Sequence, residues 1–157
     1  MLVTFILAIA GYWGLRGRVI SISDGDTIVV MTEKGSREKV RLYGIDCPES
    51  GQRFGKEATA FASSLALWEE VELVEIDRDQ YGRSVSVVML ADGRSLNEAL
   101  LAEGLAMVYD KYCKTPRCVE YRRLEAFARA GKKGIWRQKS PTPPWVWRAA
   151  NNKGRRR

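Results

Sequence analysis

Five short apolar-rich runs punctuate the chain, at residues 18–23, 27–32, 40–43, 71–76 and 85–90, with polar residues alternating in the third and fourth. Each run is rich in Val, Ile and Leu, and period-two alternation is the signature of a half-buried strand. Between the first two lies Asp24-Gly25-Asp26, an Asp-Gly hairpin signal in which glycine is expected to supply a positive φ. A different period governs residues 55–67, where Ala58, Phe61, Ala62 and Leu65 fall on one face of a helix. Ser95-Leu-Asn-Glu98 reads as a capping box opening a second helix that stops at Gly104. Tyr121, Leu124 and Ala128 place a third helix at residues 120–132. The closing stretch contains Pro141, Pro143 and Pro144, which argue against regular helix, and reads as a tail or as a strap whose Trp145 and Trp147 dock on the body. The element order β-β-β-α-β-β-α-α is that of an α+β, mainly β domain: a five-stranded OB-fold barrel with three packed α-helices.

Composition narrows the chemistry. The 157 residues suit one domain and carry a net charge of +7, unevenly distributed. Residues 114–157 hold 14 Lys+Arg against 2 Asp+Glu, whereas residues 1–113 hold 12 against 17. A mildly acidic body with a strongly basic end points to a polyanionic partner, the plainer reading being a solvated helix face and tail. Histidine is absent. Ser-His-Asp hydrolases, Cys-His nucleophiles and His-ligated zinc are thereby excluded, and a hydrolase would need a carboxylate, lysine, tyrosine or metal-bound water as its base.

The densest chemistry lies in Val40-Arg-Leu-Tyr-Gly-Ile-Asp-Cys-Pro-Glu49. Arg41 sits on a strand opposite the Val40–Leu42 face, Gly44 breaks that strand, and Pro48 sets Asp46 and Glu49 on a defined turn. One arginine and two carboxylates so placed suit a hard cation and a phosphate side by side, or a surface turn with solvated charges. Cys113 and Cys118 flank Lys114-Thr-Pro-Arg117 and would close a small disulfide loop in an oxidising compartment or remain free thiols elsewhere.

Taken in order, Asp24-Gly-Asp-Thr27, Arg41-Leu-Tyr-Gly-Ile-Asp-Cys-Pro-Glu49, Gly55-Lys-Glu-Ala58, Asp79-Gln-Tyr-Gly-Arg83, Leu96-Asn-Glu-Ala-Leu100 and Gly104-Leu-Ala106 closely resemble the staphylococcal (micrococcal) nuclease family. The resemblance spans roughly residues 18–136. It implies a calcium-dependent phosphodiesterase, a micrococcal-type endonuclease that cleaves DNA and RNA to leave 3′-phosphate ends. The family's Ca2+ carboxylates fall on Asp26 and Asp46, with a main-chain ligand at Cys47. Its phosphate-binding arginines fall on Arg41 and Arg83, and its catalytic glutamate on Glu49. Substrate contacts fall on Tyr81, whose plainer role is to close its turn, and on Tyr112. Gln80 stands where the family often has lysine, and the Cys113–Cys118 loop and Trp-rich end resemble other bacterial members rather than the staphylococcal protein. So few protein ligands imply weak calcium binding, on the order of 10⁻⁴ to 10⁻³ M.

The expected partner is a nucleic acid, as single-stranded or frayed DNA or RNA, bound by a monomer with no obligate protein partner. The alternative is a catalytically silent OB-fold module that binds nucleic acid without cutting it. The first 17 residues, with the apolar run Met1 to Ala10 before Gly11, read as a signal peptide, an uncleaved anchor or a first core strand, so the expected location is secreted or periplasmic. Residues 18–138 would form the nuclease domain and residues 139–157 the Pro/Trp-rich basic tail.

Overall fold

Antiparallel and parallel pairings close five strands into one barrel in the order β1-β2-β3-β6-β5. The computed structural model describes residues 14–152; residues 1–13 of the expected signal or anchor segment and residues 153–157 lie outside them, while Leu15 to Gly17 of that segment belong to the first strand. The strands are β1 (Leu15–Asp24), β2 (Thr27–Thr32), β3 (Arg37–Leu42), β5 (Glu70–Arg78) and β6 (Ser84–Leu90). Only the β3–β6 pair is parallel, because the helix and strand between them return the chain to its starting direction. Two further short strands, β4 (Ile45–Asp46) and β7 (Met107–Val108), pair outside the barrel. They were not visible as sequence runs, since two residues carry no periodicity.

The core inside the barrel and between the barrel and its helices is filled by apolar positions of the five sequence runs. Val19, Ile28, Val30, Val40, Leu42, Leu73, Val87 and Val88 are each at most 1% exposed. Each such side chain contributes about 1.5 to 3 kcal/mol by leaving water. Helix α1 (Gly55–Ala66) buries Ala58, Ala62 and Ala66, small residues that let it lie close to the β1–β2 hairpin. Helix α2 (Leu96–Ala102) starts as the capping box requires, with the Ser95 hydroxyl accepting from Glu98 N–H at 3.3 Å. Beside that cap, Asn97 ties three elements together. It accepts from Val88 N–H at 3.0 Å and donates to Tyr43 C=O at 3.1 Å and Ser86 C=O at 3.4 Å.

Three expectations change. Gly25 does not use positive φ; it is needed because a Cβ there would lie 2.9 Å from both Ala58 Cβ and Cys47 Sγ, so the hairpin tip is held against α1 and the Cys47 turn. Helix α3 spans Arg117–Ala130 rather than 120–132, since Pro116 supplies a helical φ of −55° just before it. Most consequential, the proline-rich end contains a fourth helix, α4 (Pro144–Asn152). Prolines break helix interiors, but Pro144 occupies the first turn, where a missing N–H costs nothing, and Pro141 and Pro143 precede it. The strap reading holds: Trp145 stacks on Tyr109 with ring centroids 4.6 Å apart and planes 8° from parallel.

Cys113 and Cys118 form a disulfide with Cα atoms 5.8 Å apart. The Tyr43 hydroxyl accepts from Lys114 and Thr115 N–H groups at 2.7 and 2.9 Å, anchoring the closed loop to the end of β3. Among the described residues no helix is long and apolar enough to cross a membrane.

Candidate active site

The site is assembled where the β1–β2 hairpin, the end of β3 and the β4 turn converge. Asp26 enters just before β2, and its own carbonyl is held by Leu42 N–H at 2.9 Å. Its carboxylate Oδ2 accepts from Cys47 N–H at 2.5 Å, so the main chain at Cys47 is drawn to the same point. Arg41 lies in register with Thr27 on the neighbouring strand, one residue beyond Asp26. Its Nη1 pairs with Asp26 Oδ1, and its Nη2 donates to Asp46 Oδ1 at 2.5 Å and to Ile45 C=O at 3.3 Å. One planar guanidinium thus spans two carboxylates, an arrangement that a lysine ammonium cannot make.

These groups are deeply set. Asp26 is 4% exposed and Asp46 is fully buried. A buried carboxylate without a partner is strongly disfavoured, so the ion pairs are a condition of folding as well as a feature of the site. Cys47 is buried too, and desolvation pushes its thiol well above the ordinary range despite the nearby Arg41, leaving a neutral and unreactive sulfur.

Glu49 follows Pro48 on the turn leading to α1. Gly55 fixes that turn from the other side: a Cβ on it would collide with the Glu49 carbonyl, so only glycine lets the helix start approach so closely. Gln52 closes the loop, its Oε1 accepting from Glu49 N–H at 3.3 Å and its Nε2 donating to Thr142 C=O at 2.7 Å in the strap.

Of the expected residues, the structure gathers Asp26, Arg41, Asp46, the Cys47 main chain and Glu49. Arg83 stands just before β6, two positions ahead of Val85, the parallel register partner of Arg41. It is held by Asp79 at 2.7 Å and lies 5.7 Å from the Tyr81 ring centroid. Partial burial works against the Asp79 charge, but the hydrogen bonds from Arg83 and from Tyr81 N–H outweigh it and hold that carboxyl below its usual range. Tyr81 is 75% exposed at the tip of this turn, outside the carboxylate cluster. Tyr112 is half-exposed and meets Tyr109 edge-on at 4.8 Å.

One participant was not anticipated. Arg148, on α4, donates from Nη2 to Asp46 Oδ2 at 2.9 Å and from Nη1 to Asp46 Oδ1 at 3.4 Å, and pairs with Glu49 Oε1. Burial works against its charge, and the hydrogen bonds to Asp46 and Glu49 more than offset that cost, holding the guanidinium above the ordinary arginine range. No local signal marks it: no Asp or Glu follows Glu125, and Arg148 is one of several basic residues on that end.

Chemically, the cluster is three carboxylates and two guanidinium groups around one small volume. Among the described residues no three acidic or sulfur side chains form a ready-made metal cage. The donors are nevertheless all oxygens, suited to a hard cation, and Asp26 and Asp46 already converge on a single positive centre. Against the three carboxylates stand two guanidinium groups, so the cluster keeps a surplus of one negative charge. The donor set therefore fits a hard cation, which Asp26 and Asp46 would hold.

A closed five-stranded barrel presenting buried carboxylates through an arginine fork defines a phosphate-handling domain of the OB type. The chain belongs to the staphylococcal nuclease homologues, whose family model matches residues 39–138. It is 37% identical over 134 residues to an uncharacterized endonuclease of Escherichia coli, covering 85% of both chains. It is 34% identical over 157 residues to a micrococcal nuclease of Shigella flexneri, covering 95% of this chain and 89% of that one. An uncharacterized endonuclease of Haemophilus influenzae is 34% identical over 131 residues, covering 83% of this chain and 71% of its own.

Proposed function

We propose that the protein is a calcium-dependent endonuclease that hydrolyses phosphodiester bonds of DNA and RNA, leaving 3′-phosphate and 5′-hydroxyl ends. The observation that carries this reading is the meeting of Asp26 and Asp46 on the Arg41 fork, with Glu49 joined to Asp46 through Arg148, within a chain of the nuclease family. Asp26, Asp46 and the Cys47 carbonyl hold the cation. When bound, Ca2+ supplies charge neutralisation and polarises a phosphate oxygen.

The remaining chemistry belongs to the chain's own side chains. Glu49 orients a water for in-line attack on phosphorus and accepts its proton, directly or through a second water. Arg41 and Arg83 donate to the non-bridging oxygens, whose negative charge grows as the water oxygen bonds to phosphorus. The P–O5′ bond then breaks, the 5′-oxygen leaves with a proton, and the phosphate stays on the 3′ side. Tyr81 and Tyr112, both exposed, offer ring faces for bases of a single-stranded or frayed substrate. The basic end of the chain adds salt-sensitive, sequence-independent attraction. Secretion or a periplasmic site accords with the Cys113–Cys118 disulfide, which persists in oxidising compartments.

A silent binding module would have no use for three carboxylates beside a bound phosphate, where they would repel it. The two readings separate in one experiment: digestion of denatured DNA with millimolar calcium, with excess chelator, and by Glu49→Gln, with end-group analysis. Calcium-dependent cleavage to 3′-phosphates that collapses in the variant is the expected result. Binding without cutting under every condition would establish the module instead.

A further inference from the structure

The helix α4 brings a large organic cation to the carboxylates that the proposed reaction needs for a metal and a proton. Asp46 carries about four lone-pair sites. Arg41 Nη2 and Arg148 Nη1 share Oδ1, and Arg148 Nη2 takes Oδ2, so both oxygens are engaged by guanidinium N–H groups. Glu49, the proposed base, is paired with the same Arg148. A carboxylate oxygen occupied by arginine N–H groups has fewer lone pairs free for a water, and an aspartate covered on both oxygens has fewer free for a metal ion.

The helix that delivers Arg148 is held by contacts separate from that ion pair. Trp145 stacks on Tyr109, Thr142 accepts from Gln52, and Gly51 lies against Trp147, where a Cβ would come 3.4 Å from the ring. Trp145 also packs against the buried cluster of Met107, Ala128, Ile135 and Trp136, which is separate from the barrel core, so α4 can withdraw while the barrel stays closed. Arg148 itself remains 36% exposed in its side chain, at the mouth of the site.

We propose that α4 is an intramolecular occupant of the cation and phosphate site, with Arg148 competing against the divalent ion for Asp46 and against the reacting water for Glu49. The inference rests on the calcium-dependent reading above. Because the arginine is tethered, it faces the carboxylates at high effective concentration, and the ion binds with an apparent affinity reduced by the fraction of molecules whose strap is open. Calcium binding and docking of α4 are therefore linked, and each weakens the other. The freed Arg148 remains beside the site as a third arginine within reach of an incoming phosphate.

The test uses the full chain with its disulfide intact and calcium chloride alone as the probe. Calcium is titrated calorimetrically into the wild type, Arg148→Ala and Trp145→Ala, each checked for native circular dichroism. Arg148→Ala is expected to bind calcium about ten-fold more tightly than the wild type, by the open-fraction relation. Trp145→Ala, which leaves every charged group in place and loosens only the docking, moves the same way by a smaller factor and stands in if the first variant does not fold. In the wild type, tryptophan emission shifts as calcium saturates, reporting loss of the Tyr109–Trp145 stack. Equal or weaker calcium affinity in the folded variants overturns the proposal while leaving the calcium reading intact. No calcium binding by any of the three overturns the calcium reading, and this inference with it.

Discussion

Arg148 and Asp46 are 102 residues apart in the chain, yet two hydrogen bonds join them, Nη2 to Oδ2 at 2.9 Å and Nη1 to Oδ1 at 3.4 Å. Asp46 is also the point at which the short β4 strand pairs with Met107 of β7. A buried carboxylate at the crossing of the barrel rim, the outer strand pair and the C-terminal helix makes the site dependent on all three.

Arg41 serves both structure and chemistry, and two substitutions separate the roles. Arg41→Ala leaves Asp26 as a buried carboxylate without a cationic partner and Asp46 with Arg148 alone, and is expected to lower stability by about 3 to 5 kcal/mol in urea unfolding. Arg41→Lys keeps the charge but loses the fork, so the folded variant should lose about 10²-fold or more in kcat on denatured DNA. Arg83→Lys should show a similar loss in kcat with little change in stability, because Arg83 lies at a surface turn and pairs only with Asp79. Near-wild-type turnover in either lysine variant would remove that arginine from the mechanism.

Asn97 is a fully buried amide whose three hydrogen bonds join β6, α2 and the end of β3. Asn97→Leu leaves Val88 N–H without its acceptor and is expected to cost about 2 to 4 kcal/mol, at roughly 1 to 3 kcal/mol per orphaned buried group. Thermal unfolding measures it. A cost below about 0.5 kcal/mol, the scatter expected of surface changes, would show that the network is dispensable.

The Cys113–Cys118 bridge closes a loop of sequence separation 5. Chain-entropy arguments give so short a loop about 2 kcal/mol. Reduction, or Cys113→Ser with Cys118→Ser, should therefore lower stability by about that amount while leaving calcium affinity unchanged, since no sulfur of this pair touches the carboxylates. A folded but calcium-deaf double variant would instead tie the loop to the site.

Glu125 supplies the pH-dependent term. Burial raises its pKa above 4.5, an effect the Val108 N–H bond, 2.9 Å long, and the nearby Arg129 only partly offset. The folded state thus holds the proton more tightly than the unfolded one, and stability from this group is present at low pH and lost as pH rises from about 4.5 through the folded pKa. Glu125→Gln keeps the acceptor for Val108 and has no charge to bury. It should be more stable than the wild type at pH 7, with the difference closing as the pH falls toward 4.5 in parallel chemical-unfolding series; a gap independent of pH would refute the assignment.

The strands of the barrel and the three central helices were determined by local pattern, because alternation, helical periodicity and the Ser95 cap act within a few residues of themselves. The cluster of Arg41, Asp46 and Glu49 was legible for the same reason: ten consecutive residues carry most of it, with Pro48 and Gly44 shaping the turn. Asp26 was placed by the hairpin only at the mouth of the second strand, and its site role came from the family resemblance. What tertiary structure alone decided was everything joined across long separations. Gly25 was expected to bend a turn and instead makes room for Ala58 and Cys47, a packing contact that no propensity encodes. The two-residue strands β4 and β7 exist only because each supplies the other's hydrogen bonds. Helix α4 hid behind its prolines, which local rules count against a helix unless the first turn is recognised, and nothing near Arg148 in sequence reveals its partners. Its carboxylates lie about a hundred residues upstream. A buried charge must be matched by whichever opposite charge folding brings within reach, and that match is a property of the assembled barrel.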